Sequence, residues 1–192
     1  MANRKNFNFE LRKKSLIEVK KILDDNNLTF WLADGALLGA YRERDFIKWD
    51  NEVDLDCFDE FLKPRYNLLS KTFAKINFNI EGHYLGKGSK INLYKGGEKI
   101  SIRGLYLDSN YCNNKFRLSK LYRYPKKFYK KLGILKFKGE SFNTPSPIEK
   151  YLEYVYGKHW RIPIKSKKKL IRLWLEMGVR RRVGSKDKDK NE

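Results

Sequence analysis

Acids stand at every second position of the stretch DNEVDLD, residues 50–56, which runs into the strand-like VDLDCF (53–58): Asp50, Glu52, Asp54 and Asp56. Side chains two apart leave an extended chain on the same face. A strand here therefore carries a row of carboxylates on one side and Val53, Leu55 and Cys57 on the other. The apolar side must join a core, and the acid row must be neutralised or hydrated. Close carboxylates repel each other unless a cation sits between them, and hard oxygen ligands select Mg²⁺ or Mn²⁺ over softer metals. A solvated strand face would show the same pattern.

Upstream, LTFWLAD (28–34) is aromatic and β-favouring and runs straight into Gly35, after which ALLGAYRER (36–44) has helical character. A strand that ends in glycine and opens a helix turns backbone N–H groups toward an anion. A divalent ion beside a phosphate-cradling turn equips a protein for phosphoryl or nucleotidyl transfer. A plain turn at Gly35 is the structural alternative.

The remaining chain reads as one domain over residues 1–164. Residues 7–27 place Phe9, Leu11, Leu16, Val19, Ile22 and Leu23 roughly on one helical face, and 59–77 resume that period through Phe61, Leu68, Leu69, Phe73 and Ile76. KINLY (90–94) and KISIRGLYL (99–107) flank a Gly-Gly turn, a hairpin signal. The tyrosine- and lysine-rich stretch 110–140 resists assignment. Residues 146–157 predict a helix with Ser146 as N-cap, Pro147 in the first turn and Gly157 as its stop. The order is α-β-α-β-α-ββ-α, an α+β arrangement around a small mixed sheet. A basic amphipathic helix over 165–183 and a disordered tail over 184–192 are expected to follow. Leu170, Leu173, Trp174 and Met177 suit either docking on the domain or peripheral contact with an anionic membrane.

Composition narrows the function classes. Lys plus Arg total 43 against 23 Asp plus Glu, a net charge of +20, which attracts polyanions, acidic membranes or phosphorylated small molecules. Cys57 and Cys112 suggest neither a disulfide framework nor a zinc site, and with only His83 and His159 besides, a metal would be held by oxygen. MANRKNFNFELRKKSL lacks the apolar run of a secretory signal, and no window approaches a membrane span, so a cytoplasmic chain is expected. YRYPKKFYKK (122–131) interleaves aromatics with lysine as a single-strand nucleic-acid surface does, but no nucleic-acid-binding signature accompanies it. Trp31 and Trp49 suit the core better than a nucleobase.

Two separated blocks resemble the LicD family, which includes the fukutin-related proteins. The family's Gly-Ser/Thr-Leu-Leu-Gly, Arg and Ile-Pro-Trp-Asp-x-Asp-x-Asp landmarks match Gly35-Ala36-Leu37-Leu38-Gly39, Arg42 and Ile47-Lys48-Trp49-Asp50-Asn51-Glu52-Val53-Asp54 without insertion or deletion. The second block is Pro145, Tyr151-Leu152, Tyr156-Gly157, Trp160 and Pro163. The resemblance implies a nucleotidyltransferase-like fold. It also implies a Mg²⁺- or Mn²⁺-dependent transfer of a phospho-substituent, such as phosphocholine or a phospho-alditol, from a CDP-activated donor to a hydroxyl of a glycan or glycolipid. By the same resemblance Glu52 and Asp54 match the metal-binding pair and Asp50 a supporting acid, while Gly35, the Ala36 backbone and Arg42 would meet donor phosphate. The chain departs from the family at Ala36, Lys48 and Glu52. It also has Ser101 or Arg103 where a later strand commonly supplies a third carboxylate. That leaves Asp56 or Asp108 as the candidate base, with weakened activity one consequence. The alternatives are nucleotidyl transfer to a small molecule, protein or RNA, and a catalytically silent basic module for nucleic acid or another anionic polymer.

Overall fold

The computed structural model describes residues 7–84, 88–108, 110–116 and 120–165. The basic segment expected after Lys165 and the tail after it lie outside the described residues.

Helix α1 spans Phe9–Asp25, with the Asn8 side chain accepting from the Leu11 N–H as its cap. Strand β1 (Phe30–Leu32) leads into α2 (Asp34–Arg42), and β2 (Val53–Phe58) leads into α3 (Asp59–Lys75). Then come β3 (Asn79–Tyr84), β4 (Lys90–Lys95) and β5 (Glu98–Asp108), the last two forming the expected Gly-Gly hairpin. The unassigned stretch supplies β6 (Tyr111–Phe116), β7 (Lys120–Pro125), a short 3₁₀ turn at Lys126–Tyr129, and β8 (Gly133–Phe137). Strand β9 (Glu140–Thr144) and α4 (Ile148–Tyr156) complete the described elements.

The α+β architecture is as expected, but the sheet is larger than the small one foreseen. Its nine strands run β3-β4-β5-β2-β1-β9-β8, with β6 and β7 continuing from β5. Tyrosine, threonine and β-branched residues at period two are weak signals when lysines interrupt them, and only pairing partners elsewhere in the chain turn such segments into strands. Helix α4 also begins differently. Pro147 is its N-cap, with no side-chain cap, and the Ser146 N–H donates to the Phe128 carbonyl at 2.8 Å.

Strand β2 is central and pairs with β5 in parallel, Val53 opposite Ile100 through Phe58 opposite Leu105. It pairs with β1 antiparallel, Trp31 opposite Asp56. Val53, Leu55, Cys57, Ile100, Ile102, Ile91 and Leu93 are all buried, in one cluster with Leu16, Val19 and Leu23 of α1 and Leu62, Leu69 and Phe73 of α3. On the other side, Trp31, Phe58 and Tyr129 form a group of rings with centroids 5.0 to 6.4 Å apart, so Trp31 is core as expected. No helix among the described residues is long and apolar enough to cross a membrane.

One buried charge pair ties the N-terminal helix to the sheet and to the loop before β2. Arg12, 1% exposed, donates from Nε to Glu98 Oε2 at 2.6 Å and from Nη1 to the Asp50 carbonyl at 2.9 Å. Removing one partner of a buried pair strands the other charge. Glu98→Ala is expected to lower unfolding free energy by about 3–5 kcal/mol in urea denaturation. The double variant Arg12→Met/Glu98→Ala should lose less than the single one.

Candidate active site

Asp54 and Asp56 lie along the face of β2 opposite the α1–α3 core, whereas Asp50 and Glu52 stand in the loop before the strand, and β5 brings a row of cations beside them. In parallel register Asp54 faces Ser101 and Asp56 faces Arg103. One step earlier, Lys99 Nζ lies 2.6 Å from Glu52 Oε2. Lys99, Ser101 and Arg103 share one parity, so they share a face.

Arg103 is the centre of the arrangement. It is 6% exposed, donates from Nε to Asp56 Oδ1 at 2.6 Å and from Nη1 to Asp34 Oδ2 at 2.7 Å, and lies 3.6 Å from Asp54 Oδ1. Asp34 comes from the first turn of α2, where it holds φ at 40°, a conformation that Asp tolerates better than most residues. The Tyr124 hydroxyl approaches Asp34 Oδ1 at 3.4 Å. Three carboxylates from α2 and β2 thus surround one guanidinium from β5. Two further cations stand near: Lys99 on Glu52, and half-buried Lys90, which is opposite Arg103 in the β4–β5 register.

Burial dominates the acids' protonation. It pushes Asp54 up to about 8; Arg103 pulls it back, while Asp34, Glu52 and Asp56 push it further. Burial likewise raises Asp56 to about 6 against the pull of Arg103. Asp50 is also raised to about 6, by burial first and with the Glu52 charge adding to it, while backbone N–H donors and Arg12 oppose.

Of the expected site residues, Gly35 meets Asp50 and the acids Asp54 and Asp56 gather at Arg103, whereas Arg42 is engaged elsewhere and Asp108 lies at a strand end. Gly35 lies inside the first turn of α2; the left-handed residue is Asp34, one position earlier. What requires glycine at 35 is a neighbour: a Cβ there would come 1.8 Å from Asp50 Oδ2. The second glycine, Gly39, lets the next loop approach, since a Cβ would lie 2.6 Å from the Asp45 carbonyl oxygen. Ala36 is buried in the same first turn, where helix N–H groups have no intrahelical acceptor. Arg42 donates from Nη1 to the Trp160 carbonyl at 2.9 Å and from Nη2 to Glu43 Oε1 at 2.5 Å, joining the two sequence blocks. Asp56 is wholly buried, and Asp108, at the end of β5, is exposed. Trp49 is 37% exposed, with Lys165 Nζ 5.6 Å from its ring centroid. Asp34, Lys99 and Tyr124 escaped the sequence reading. The shared parity of Lys99 and Arg103 in KISIR was the available signal for a second charged row. A cleft of about 430 Å³ lined by Lys127, Phe128, Ser146, Pro147, Lys150, Glu153 and Tyr154 includes none of the acids discussed here.

Mg²⁺ demands near-octahedral oxygen coordination. Here Glu52 is held by Lys99, and one oxygen each of Asp34 and Asp56 takes Arg103, with Asp54 beside them. The other Asp34 oxygen takes the Tyr124 hydroxyl, and Asp56 Oδ2 is buried without a hydrogen-bond partner among the described residues. Among the described residues, no group of three or more His, Cys, Asp or Glu side chains is set to hold a metal ion. As folded, the donor set fits a guanidinium and not a divalent ion.

Two outcomes are expected from this geometry. Gly35→Ala should cost about 1–3 kcal/mol through overpacking. Its effect should shrink in an Asp50→Ala background, a coupling that a double-mutant cycle in denaturant measures. Asp54 and Asp56 have native pKa values above the unfolded carboxylate value, so the native state holds more protons and stability falls as pH rises from about 4 toward 8. Asp54→Asn should therefore melt roughly 3 °C or more above the wild type at pH 8. That gain should fade below about pH 4, as thermal melts across this range would record.

In structure, the chain is similar to the antibiotic-resistance factor ANT(2'')-Ia in solution, with a TM-score of 0.53 and 13% identity, covering 88% of this chain and 83% of the other. A crystal structure of ANT(2'')-Ia in complex with adenylyl-2''-tobramycin gives a TM-score of 0.51 at 13% identity, covering 86% of each chain. At that identity the likeness concerns the fold. In sequence, the chain is 28% identical over 172 residues to ribitol-5-phosphate transferase FKTN of Mus musculus and 25% identical over 169 residues to that of Homo sapiens. Each match covers 82% of this chain but only 35% of the relative, so the chain spans about a third of the length of these proteins. Residues 27–147 match the nucleotidyltransferase domain described as LicD/FKTN/FKRP, a span that holds the acid row, the glycine-bearing helix and Arg103. The chain belongs to the LicD/FKTN/FKRP family of nucleotidyltransferase domains.

Proposed function

We propose that the chain transfers a phospho-substituent, of the phospho-alditol or phosphocholine type, from a CDP-activated donor to a hydroxyl of a glycan or glycolipid. The observation that carries this reading is the β2 acid row standing beside the N-terminus of α2 within a LicD/FKTN/FKRP domain. The naming of relatives as ribitol-5-phosphate transferases favours the phospho-alditol type. In the transfer, the acceptor oxygen forms a bond to the donor's substituent-bearing phosphorus, the bond from that phosphorus to the CMP oxygen breaks, and CMP leaves. The acceptor's proton needs a base. Asp54 is the best placed, because its carboxyl is raised to about 8 while Asp56 is sealed from solvent; a base near the working pH is the effective one. Lys90 and Lys99, which border the acids, offer positive charge to a diphosphate. A cytoplasmic chain working at a membrane face would meet a lipid-linked acceptor.

The test is CMP release from CDP-ribitol or CDP-choline in the presence of a glycan acceptor, with the product checked for a new phosphodiester. Asp54→Asn should lower kcat by about 10²–10⁴-fold. Absence of CMP above background with both donors would overturn the reading. Pyrophosphate release from a nucleoside triphosphate would move the chain to nucleotidyl transfer instead.

A second reading is favoured by the ion pairs of Lys99 and Arg103 with the acid row. It makes the chain a silent basic module for an anionic polymer. Under it, calorimetry with an oligonucleotide would show binding that weakens steeply with salt, with no CMP released from either donor.

A further inference from the structure

We propose that Arg103 is the resident cation of the acid cluster, standing where a divalent ion would otherwise neutralise Asp34, Asp54 and Asp56, and that the chain binds neither Mg²⁺ nor Mn²⁺ there. The inference stands apart from the transferase reading, since it concerns which cation the acids hold and not whether a phosphorus centre is attacked.

Geometry carries it. The guanidinium reaches Asp34 at 2.7 Å and Asp56 at 2.6 Å and lies 3.6 Å from Asp54, so one group touches acids from two elements as a bridging ion would. Its charge is permanent, because arginine is not deprotonated in proteins. Its planar fork also presents several N–H donors at once, which matches it to carboxylates. The group is nearly buried, so it cannot swing into water to admit an ion without exposing the acids it pairs. Strand register fixes the substitution. Arg103 is directly opposite Asp56, and Ser101, opposite Asp54, turns its hydroxyl toward the Asn92 side-chain oxygen at 3.2 Å and offers no carboxylate. Of the two other acids of the row, Glu52 is held by Lys99 and Asp50 lies against Gly35. A divalent ion entering here would meet Arg103 and Lys99 as like charges at the ligands themselves, and like charge at short range in a buried site is strongly unfavourable.

The test reads metal binding, not activity. Mn²⁺ is titrated into the full chain and free Mn²⁺ is followed by electron paramagnetic resonance, with thermal melts in parallel. The wild type is expected to take up no stoichiometric Mn²⁺ and to melt at a metal-independent temperature. In Arg103→Ala the three acids lose their cation, so the variant should bind Mn²⁺ at least about tenfold more tightly than the wild type and gain melting temperature as Mn²⁺ is added. Arg103→Gln, closer in shape and neutral, repeats the measurement should the alanine variant not fold. Arg103→Lys, still charged, should resemble the wild type. One Mn²⁺ bound per wild-type chain with a matching rise in melting temperature would overturn the proposal. So would folded Arg103→Ala or Arg103→Gln that gains no affinity. CMP release by the wild type without added metal would support it.

Discussion

Charge compensation across the β2–β5 strand pair is the constraint on which the rest of this structure depends. A row of acids that near the core could not remain ionised beside one another; each needs a cation or a proton. Strand β5 supplies Lys99 and Arg103 at the required spacing, and the raised pKa values of Asp54 and Asp56 record that the supply is incomplete, with burial outweighing one guanidinium among three carboxylates. The same strand pair buries Val53, Leu55, Ile100 and Ile102 on its other face. Apolar packing and ion pairing therefore select one register, since a slip of a single residue would put acids in the core and leucine against arginine.

Around that pair, the elements most similar to the family act as connectors. Asp50 fills the flank of Gly35 with its side chain, while its carbonyl receives Arg12, so the loop before β2 is pinned to both α2 and α1. Arg42 links α2 to the backbone of Trp160, which packs on Tyr41 at a centroid distance of 5.9 Å. Arg42 and Trp160 are 118 positions apart, and the two sequence blocks thus meet in space through a side chain otherwise expected at donor phosphate. Aromatic rings close the far end of the acid face. Tyr124 stacks on Tyr151 and points its hydroxyl at Asp34, and Tyr129 and Tyr151 have their phenols raised by burial, with nearby acids adding to the effect.

Much of this was legible in the chain. Strand β2 occupies the residues that alternation picked out, and α1, α3 and the β4–β5 hairpin appear within a few residues of their expected bounds, because each satisfies its own period locally. Strands β6 to β9 were not readable. Their alternation is blurred by lysine and tyrosine, which fit a strand's wet face and a loop about equally well; β5–β6, β6–β7 and β8–β9 pair close neighbours in sequence, and the β9–β1 contact is the long-range one among them. The acid row was legible as a row. Its counter-charge was not, although Lys99 and Arg103 were in plain view, because a charge at alternate positions on a hairpin strand is also what a solvated face looks like.

The sequence by itself determined an apolar and an acidic face on one strand, a glycine-bearing helix before it and the family to which both belong, because period, turn chemistry and spacing are properties of neighbouring residues. Only the tertiary structure decided what neutralises the acids. That choice depends on which strand lies parallel to β2 and in which register. A partnership between residues 47 positions apart in the chain, Arg103 and Asp56, is set by packing on the opposite face of the sheet and not by anything local to either residue.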